Sequence, residues 1–189
     1  ANRCAIVQPG VVNAHLTQEV KPYGYHFAPD PSSQIVSTIG GNLSENAGGP
    51  HTLKYGVTVN HVLGQTIILP NGEILKIGGK YRYSAEPDLN CIFTGSEGTL
   101  GIASEIIVNL EKTPNCIRTF LLSFDTILKS TNFVMELLLM GVIPAAMEMI
   151  DELCIYAVEK KIKAGFPIGA KAVLLIELDG NNDEVDWES

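Results

Sequence analysis

The 189-residue chain is short of positive charge: 13 Lys and Arg stand against 21 Asp and Glu, a formal net charge of −8. A nucleic-acid binder meets phosphates with a basic footprint, so that class is excluded, and an anionic membrane surface repels the chain for the same reason. Long apolar runs are missing as well. The most apolar stretch, Phe133 to Ile150, is interrupted by Glu136, Gly141, Pro144 and Glu148 and falls short of the ~20 apolar residues that a bilayer crossing takes. The cysteines, Cys4, Cys91, Cys116 and Cys154, include no Cys-x-x-Cys pair and no His–Cys cluster at zinc-ligand spacing. A chain this long and apolar does not need disulfide staples. They read as reduced, mostly buried thiols of a cytoplasmic protein.

The nucleotide signatures are absent too. Gly78-Gly79-Lys80-Tyr81 does not supply a P-loop, and Gly95-Ser96-Glu97-Gly98 has the wrong first spacing for a dinucleotide fingerprint and runs into a strand-like segment. The N-terminus carries no apolar signal region and enters mid-pattern, as if cut from something longer.

What is present is material for a core: 46% of residues are hydrophobic and 18% charged, which excludes a disordered chain. Ala5-Ile6-Val7 reads as a strand. Asn13 is expected to cap a helix over 14–20, ended at Lys21-Pro22. A rigid loop at Pro29-Asp30-Pro31-Ser32-Ser33 leads into the glycine-rich stretch 35–56, and β pattern is expected from Thr58 to Ile77, with a hairpin turn at Pro70-Asn71-Gly72. A polar loop, 78–88, precedes a second glycine-rich segment, 94–102, and a strand over 103–110. After Pro114 the texture changes to β-α-β-α-β. The expected elements are a strand 118–124, Asp125 as a cap, a helix 126–140, a strand 145–150, a helix 152–164 with Gly165 as its C-cap, and a strand 172–178. A domain boundary is placed near residue 114, giving 1–114 and 115–189. The run Leu137 to Met140 is expected in the core, Glu148 in water, and Asp179 to Glu188 as a solvated acidic tail.

Two Gly-Gly pairs and a Gly-x-x-Gly-x-x-Gly can line a ligand with bare N–H groups, which suits an anion in an acidic protein; tight turns in a β-rich domain explain them equally well. Of the histidines, none shares metal-ligand spacing with another. His15, His26 and His61 read as surface or structural residues, and His51 adjoins the Gly48-Gly49 segment.

The specific signal is the combination. Asp30-Pro31-Ser32-Ser33, Gly40-Gly41-Asn42, Asn46-Ala47-Gly48-Gly49, Lys54-Tyr55-Gly56 and Gly95-Ser96-Glu97-Gly98-Thr99-Leu100-Gly101 together resemble the FAD-binding domain of the vanillyl-alcohol oxidase-type flavoproteins. Within that superfamily the chain is most similar to the glycolate oxidase flavin subunit and the FAD-linked D-lactate dehydrogenases. Pro144 to Asp151 fits the same family's entry into its substrate (cap) domain.

The resemblance implies an α+β fold: the second subdomain of the FAD-binding domain, an antiparallel sheet with flanking helices, followed by the first half of a ferredoxin-like cap. It implies FAD, held noncovalently. Pro29, Asp30, Pro31, Ser33, Gly40, Gly41, Asn42, Asn46, Ala47, Gly48 and Gly49 would lie along the isoalloxazine, ribityl and pyrophosphate, with Tyr55 and Gly56 in the same wall. Glu97, Gly98 and Ile102 would reach the ribose and adenine end. The family's pyrophosphate-gripping subdomain, metal-binding histidines and active-site base have no counterpart in these residues, so the chain corresponds to the middle of such an enzyme and no catalytic residue or metal ligand is assigned. The implied reaction is oxidation of a D-2-hydroxy acid, glycolate or D-lactate, to the 2-oxo acid. The alternatives are a non-catalytic flavin-binding or structural subunit and a flavin-independent regulatory fragment. An electron-accepting partner subunit is expected, and a cytoplasmic location, peripheral to a membrane only through such partners. Apolar surface on a sheet separated from its neighbour subdomain predicts self-association.

Overall fold

The computed structural model describes residues 2–81 and 87–188, and these fall into two units, 1–113 and 114–189. The first is built on a four-stranded sheet. Its strands are β1 (Cys4–Val7), β3 (Val62–Ile68), β4 (Ile74–Gly78) and β5 (Ile102–Asn109), in the order β1-β5-β3-β4, every neighbour antiparallel. The expected hairpin joins β3 to β4, Ile68 opposite Ile74. A small ladder, β2 (Tyr25–His26) with β6 (Glu111–Lys112), stands apart.

Helix α1 (Asn13–Val20) and helix α2 (Ile39–Glu45) pack on this sheet. Ile39 and Leu43, four residues apart on one helix face, are buried with Ile106 and Val108, which share one face of β5 by period-two alternation. Short helices α3 (Thr52–Tyr55) and α4 (Asn90–Phe93) complete the unit.

In the second unit β7 (Cys116–Phe124), β8 (Ala146–Asp151) and β9 (Ala172–Gly180) form a three-stranded sheet, β7-β9-β8, with β9 antiparallel to both neighbours. β7 and β8 therefore run parallel and are joined through helix α5 (Ile127–Leu139), a split β-α-β unit. Leu174, Ile176 and Leu178 of β9 meet Phe133, Val134 and Leu137 of α5 and the fully buried Val185 of α7 (Asn182–Glu188). Helix α6 (Glu152–Lys161) follows β8 and buries Ile155.

Several local expectations are corrected. Asn13 does not cap α1: Val12 occupies the cap position, and the Asn13 amide turns inward to other work. Residues 58–61 form a 3-10 turn, so β3 begins at Val62. The Gly40-Gly41-Asn42 segment is helical. Thr126, not Asp125, caps α5, its Oγ1 accepting from the Lys129 N–H at 3.2 Å, while Asp125 pairs with Lys129 Nζ. α6 stops at Lys161, ahead of Gly165, and the acidic tail contains α7. Of the run 137–140 only Leu137 joins the core; Leu139 and Met140 are 83% and 74% exposed, because the helix turns them away at its last residues. The four thiols are free, with Cys91 and Cys154 exposed and Cys4 and Cys116 half-buried, so the mostly buried expectation fails. Glu148 is exposed as expected. The polar loop of 78–88 falls partly on residues 82–86, outside the described residues.

Candidate cofactor site

The glycine-rich stretch is shaped first by its own backbone. Thr38 caps α2, its Oγ1 accepting from the Gly41 N–H at 3.1 Å. The Gly40 N–H donates to Pro9 O at 2.8 Å, and a Cβ on Gly40 would stand 2.5 Å from the Pro9 Cβ. The Ala47 N–H donates to Asn42 O, and the Gly49 N–H to Thr52 Oγ1 at 2.9 Å. The expectation of bare N–H groups at these glycines is therefore corrected: close approach of neighbouring chain demands glycine at Gly40, and its donor is spent internally.

A buried relay ties two of the motifs together. The Asn42 amide donates to Asn13 Oδ1 at 2.9 Å, and the Asn13 amide donates to Pro29 O at 3.0 Å. All three residues are buried. The relay fixes the Pro29-Asp30-Pro31 loop against α2, so Asn42 acts here by holding the loop. Pro31 and Ser33 shape the turn that follows, their carbonyls accepting from the Gln34 and Val36 N–H groups.

The second glycine-rich segment docks on the end of α2. The Gly95 and Glu97 N–H groups donate to the carbonyls of Leu43 and Ser44 at 2.8 and 3.0 Å. Gly98 sits at φ +73, and space is open where its Cβ would stand. Between this segment, α2 and β3 opens a cleft of about 430 Å³. It gathers four of the expected residues, Gly40, Gly41, Gly98 and Ile102, and adds Thr38, Ser44, Gln65, Phe93 and Ile67. Among the described residues no Lys or Arg lines it. The polar Gln65 interrupting the apolar run 62–68 was the one sequence signal for these additions.

The other expected residues stand outside this cleft. Asp30 Oδ2 lies 2.6 Å from His51 Nδ1, and Gly49 passes so close to Asp30 that a Cβ there would collide with its carbonyl and carboxylate. Tyr55 packs its ring against His26 and His51, with centroids 5.8 and 6.5 Å apart, and its carbonyl accepts from His61 Nε2 at 2.8 Å. Asn46 is left-handed at φ 50 and its Oδ1 accepts from the Val59 N–H; Ala47 O accepts from Thr58; Gly56 ends α3 at φ 82, and Gly48 precedes it in the same segment. His15 is exposed. Among the described residues no group of three His, Cys, Asp or Glu side chains is placed to hold a metal ion, and no helix is long and apolar enough to cross a membrane.

The geometry fits a flavin dinucleotide in kind: a glycine-lined cleft with an open cradle at Gly98 and an orphaned buried acceptor, Gln65 Oε1. The fold is that of a flavin-domain sheet followed by a cap-type β-α-β unit. It superposes on two solved structures of alkyldihydroxyacetonephosphate synthase with TM-scores of 0.82 and 0.83, at 23% and 22% identity, over 99% of this chain and 36–37% of theirs. Residues 1–78 match the FAD binding domain family, and residues 113–189 match the C-terminal domain of FAD linked oxidases. The chain belongs to the FAD-linked oxidases, whose cofactor is FAD. It is 46% identical to the glycolate oxidase subunit GlcD of Escherichia coli strain K12 over 97% of its length, 43% to that of Bacillus subtilis strain 168 over 98%, and 32% to a D-lactate dehydrogenase of Anaerostipes hadrus over 94%. It spans about two-fifths of the length of these relatives, 37–40%.

Proposed function

We propose that this chain supplies part of the flavin-holding wall of an FAD-dependent oxidoreductase that converts a D-2-hydroxy acid, glycolate or D-lactate, to the 2-oxo acid. The observation that supports it most is the 46% identity to a glycolate oxidase subunit across 97% of the chain. When bound, FAD supplies the acceptor for the two electrons and proton that leave the substrate C2 as hydride, while the hydroxyl proton goes to a base. This chain's share is binding and orientation. Gly40, Gly41, Gly98 and Ile102 would hold the dinucleotide in the cleft; Pro29 and Asp30, fixed by the Asn13–Asn42 relay, would hold the loop beside it, with Gly49 and Tyr55 behind. No residue of the chain is assigned as the base. An electron-accepting partner subunit and a cytoplasmic location belong to the same reading. Exposed Ile35 and Val36, 74% and 71% accessible, support self-association of the chain.

The test is an FAD titration followed by quenching of flavin fluorescence, on this chain and on a version extended with the segments that its relatives carry. Binding in the extended form supports the reading. Absence of binding in both overturns it.

A further inference from the structure

Helix α5 is apolar on two opposite faces. Phe133, Val134 and Leu137 pack on the core of the second unit, and Ser130 on the same side is fully buried. On the opposite side of a 3.6-residue helix lie Leu128, Asn132, Met135 and Leu139, spaced four, three and four residues apart. Leu128, Met135 and Leu139 are 68%, 61% and 83% exposed, and Asn132 is exposed with them. A helix that packs on one side only carries polar residues on its outer face. A second apolar stripe along its length asks for a second partner.

The charges say which partner. The helix carries two, Lys129 and Glu136, both exposed and both on the same flank of the stripe. Two copies of α5 packed antiparallel about a two-fold axis bring unlike ends together. In the register that sets Leu128 against Leu139 and Asn132 against Met135, each Lys129 falls within about 3 Å, along the axis, of Glu136 on the other copy, at a rise of 1.5 Å per residue. The match occurs twice. A register with Asn132 against Asn132 would set Leu128 against Glu136 and lose both the apolar match and the charge match. Lys129 also holds Asp125 at 2.7 Å, and an ammonium with three donors can serve both carboxylates. We infer that the outer stripe of α5 docks antiparallel on the same stripe of a second copy of this chain, with Lys129–Glu136 pairs on its rim and Asn132 fixing the register. This does not depend on the flavin reading. It gives the self-association proposed above a surface of its own, apart from Ile35 and Val36.

The experiment is sedimentation velocity over a concentration series, on the version extended with the relatives' segments. One helix per copy makes a small interface, so the expected dissociation constant is of the order of 10 μM. Lys129→Glu and Glu136→Lys each set like charges together at two places and should weaken the dimer about tenfold. An equimolar mixture of these two variants puts opposite charges back at both places and should recover the unaltered affinity. Leu139→Lys changes a side chain too exposed for the fold to depend on, and should abolish the dimer. A monomer throughout the series overturns the inference and leaves the stripe to another segment or another protein. A dimer that none of the variants weakens also overturns it and points to the face of Ile35 and Val36. Weakening by the single variants without recovery in the mixture overturns the antiparallel self-pairing, and the inference with it.

Discussion

The two units bury different kinds of side chain. In the first, Asn13, Asn42, His61, Gln65, Asn90 and Thr94 are buried polar residues joined to one another or to backbone, carried on short helices, a 3-10 turn and β3. In the second, the interior is nearly all carbon: Leu174, Ile176, Leu178 and Val185, with Ser130 and Asp179 the buried polar exceptions among the described residues. Three of its ion pairs, Asp125–Lys129, Glu152–Lys171 and Arg118–Asp186, lie on the surface, where such pairs contribute little. An apolar core tolerates any filling of similar volume. A polar relay tolerates only partners of the right polarity and reach, so the first unit trades tolerance for a fixed geometry around its cleft.

That contrast is sharpened most by paired core substitutions. Leu174→Ala should cost about 4 kcal/mol through lost burial and a cavity, and Leu174→Met should restore most of it. Asn13→Ala should cost about 3 kcal/mol, since it leaves both Pro29 O and the Asn42 amide unpaired, and Asn13→Leu should restore nothing. Urea denaturation with hydrogen exchange at each unit reads both; a stable Asn13→Leu protein would break the comparison.

Glycines make the next test. Gly49→Ala drives a methyl into the Asp30 carbonyl and carboxylate and should cost about 2 kcal/mol by overpacking, together with a loss of flavin affinity. Gly169→Ala, at φ +100 with nothing within 4 Å, should cost about 1 kcal/mol from backbone conformation alone. Thermal melts separate the two, and equal costs would count against crowding at Gly49.

The smallest effect is pH-dependent and confined to the second unit. Asp151 caps α6, and the Cys154 N–H bonding to its carboxylate holds its pKa below the usual value. A carboxylate depressed in the folded state stabilises above its unfolded pKa of about 4, and that contribution is lost as pH falls through the lower folded value. The stability gap between the wild type and Asp151→Ala should therefore be widest at neutral pH and narrow below about pH 4. A gap constant from pH 7 to pH 2 would show that the carboxylate charge plays no part.

The Pro-Asn-Gly hairpin, the strands about residues 5, 106, 120, 148 and 175, and the β-α-β order of the second unit were legible because each depends on local pattern: turn chemistry, period-two alternation, or a 3.6-residue repeat between breakers. The five motifs taken together resembled an FAD-linked oxidase, whereas the glycines alone fitted tight turns equally well. What only the tertiary structure decided was which polar groups meet. Asn13 looked like a cap because Asn favours that position, yet 29 residues separate it from the Asn42 amide it serves. Gly40 looked like a ligand-facing donor, yet Pro9, brought beside it by the fold, takes its hydrogen. Nothing in the local pattern says how the Gln65 amide is turned; Asn90 and Thr94, brought beside it by the fold, decide it. Local sequence sets dihedral angles and buried faces; a hydrogen bond's polarity is set by whichever partner folding brings within 3 Å, and that distance is not written along the chain.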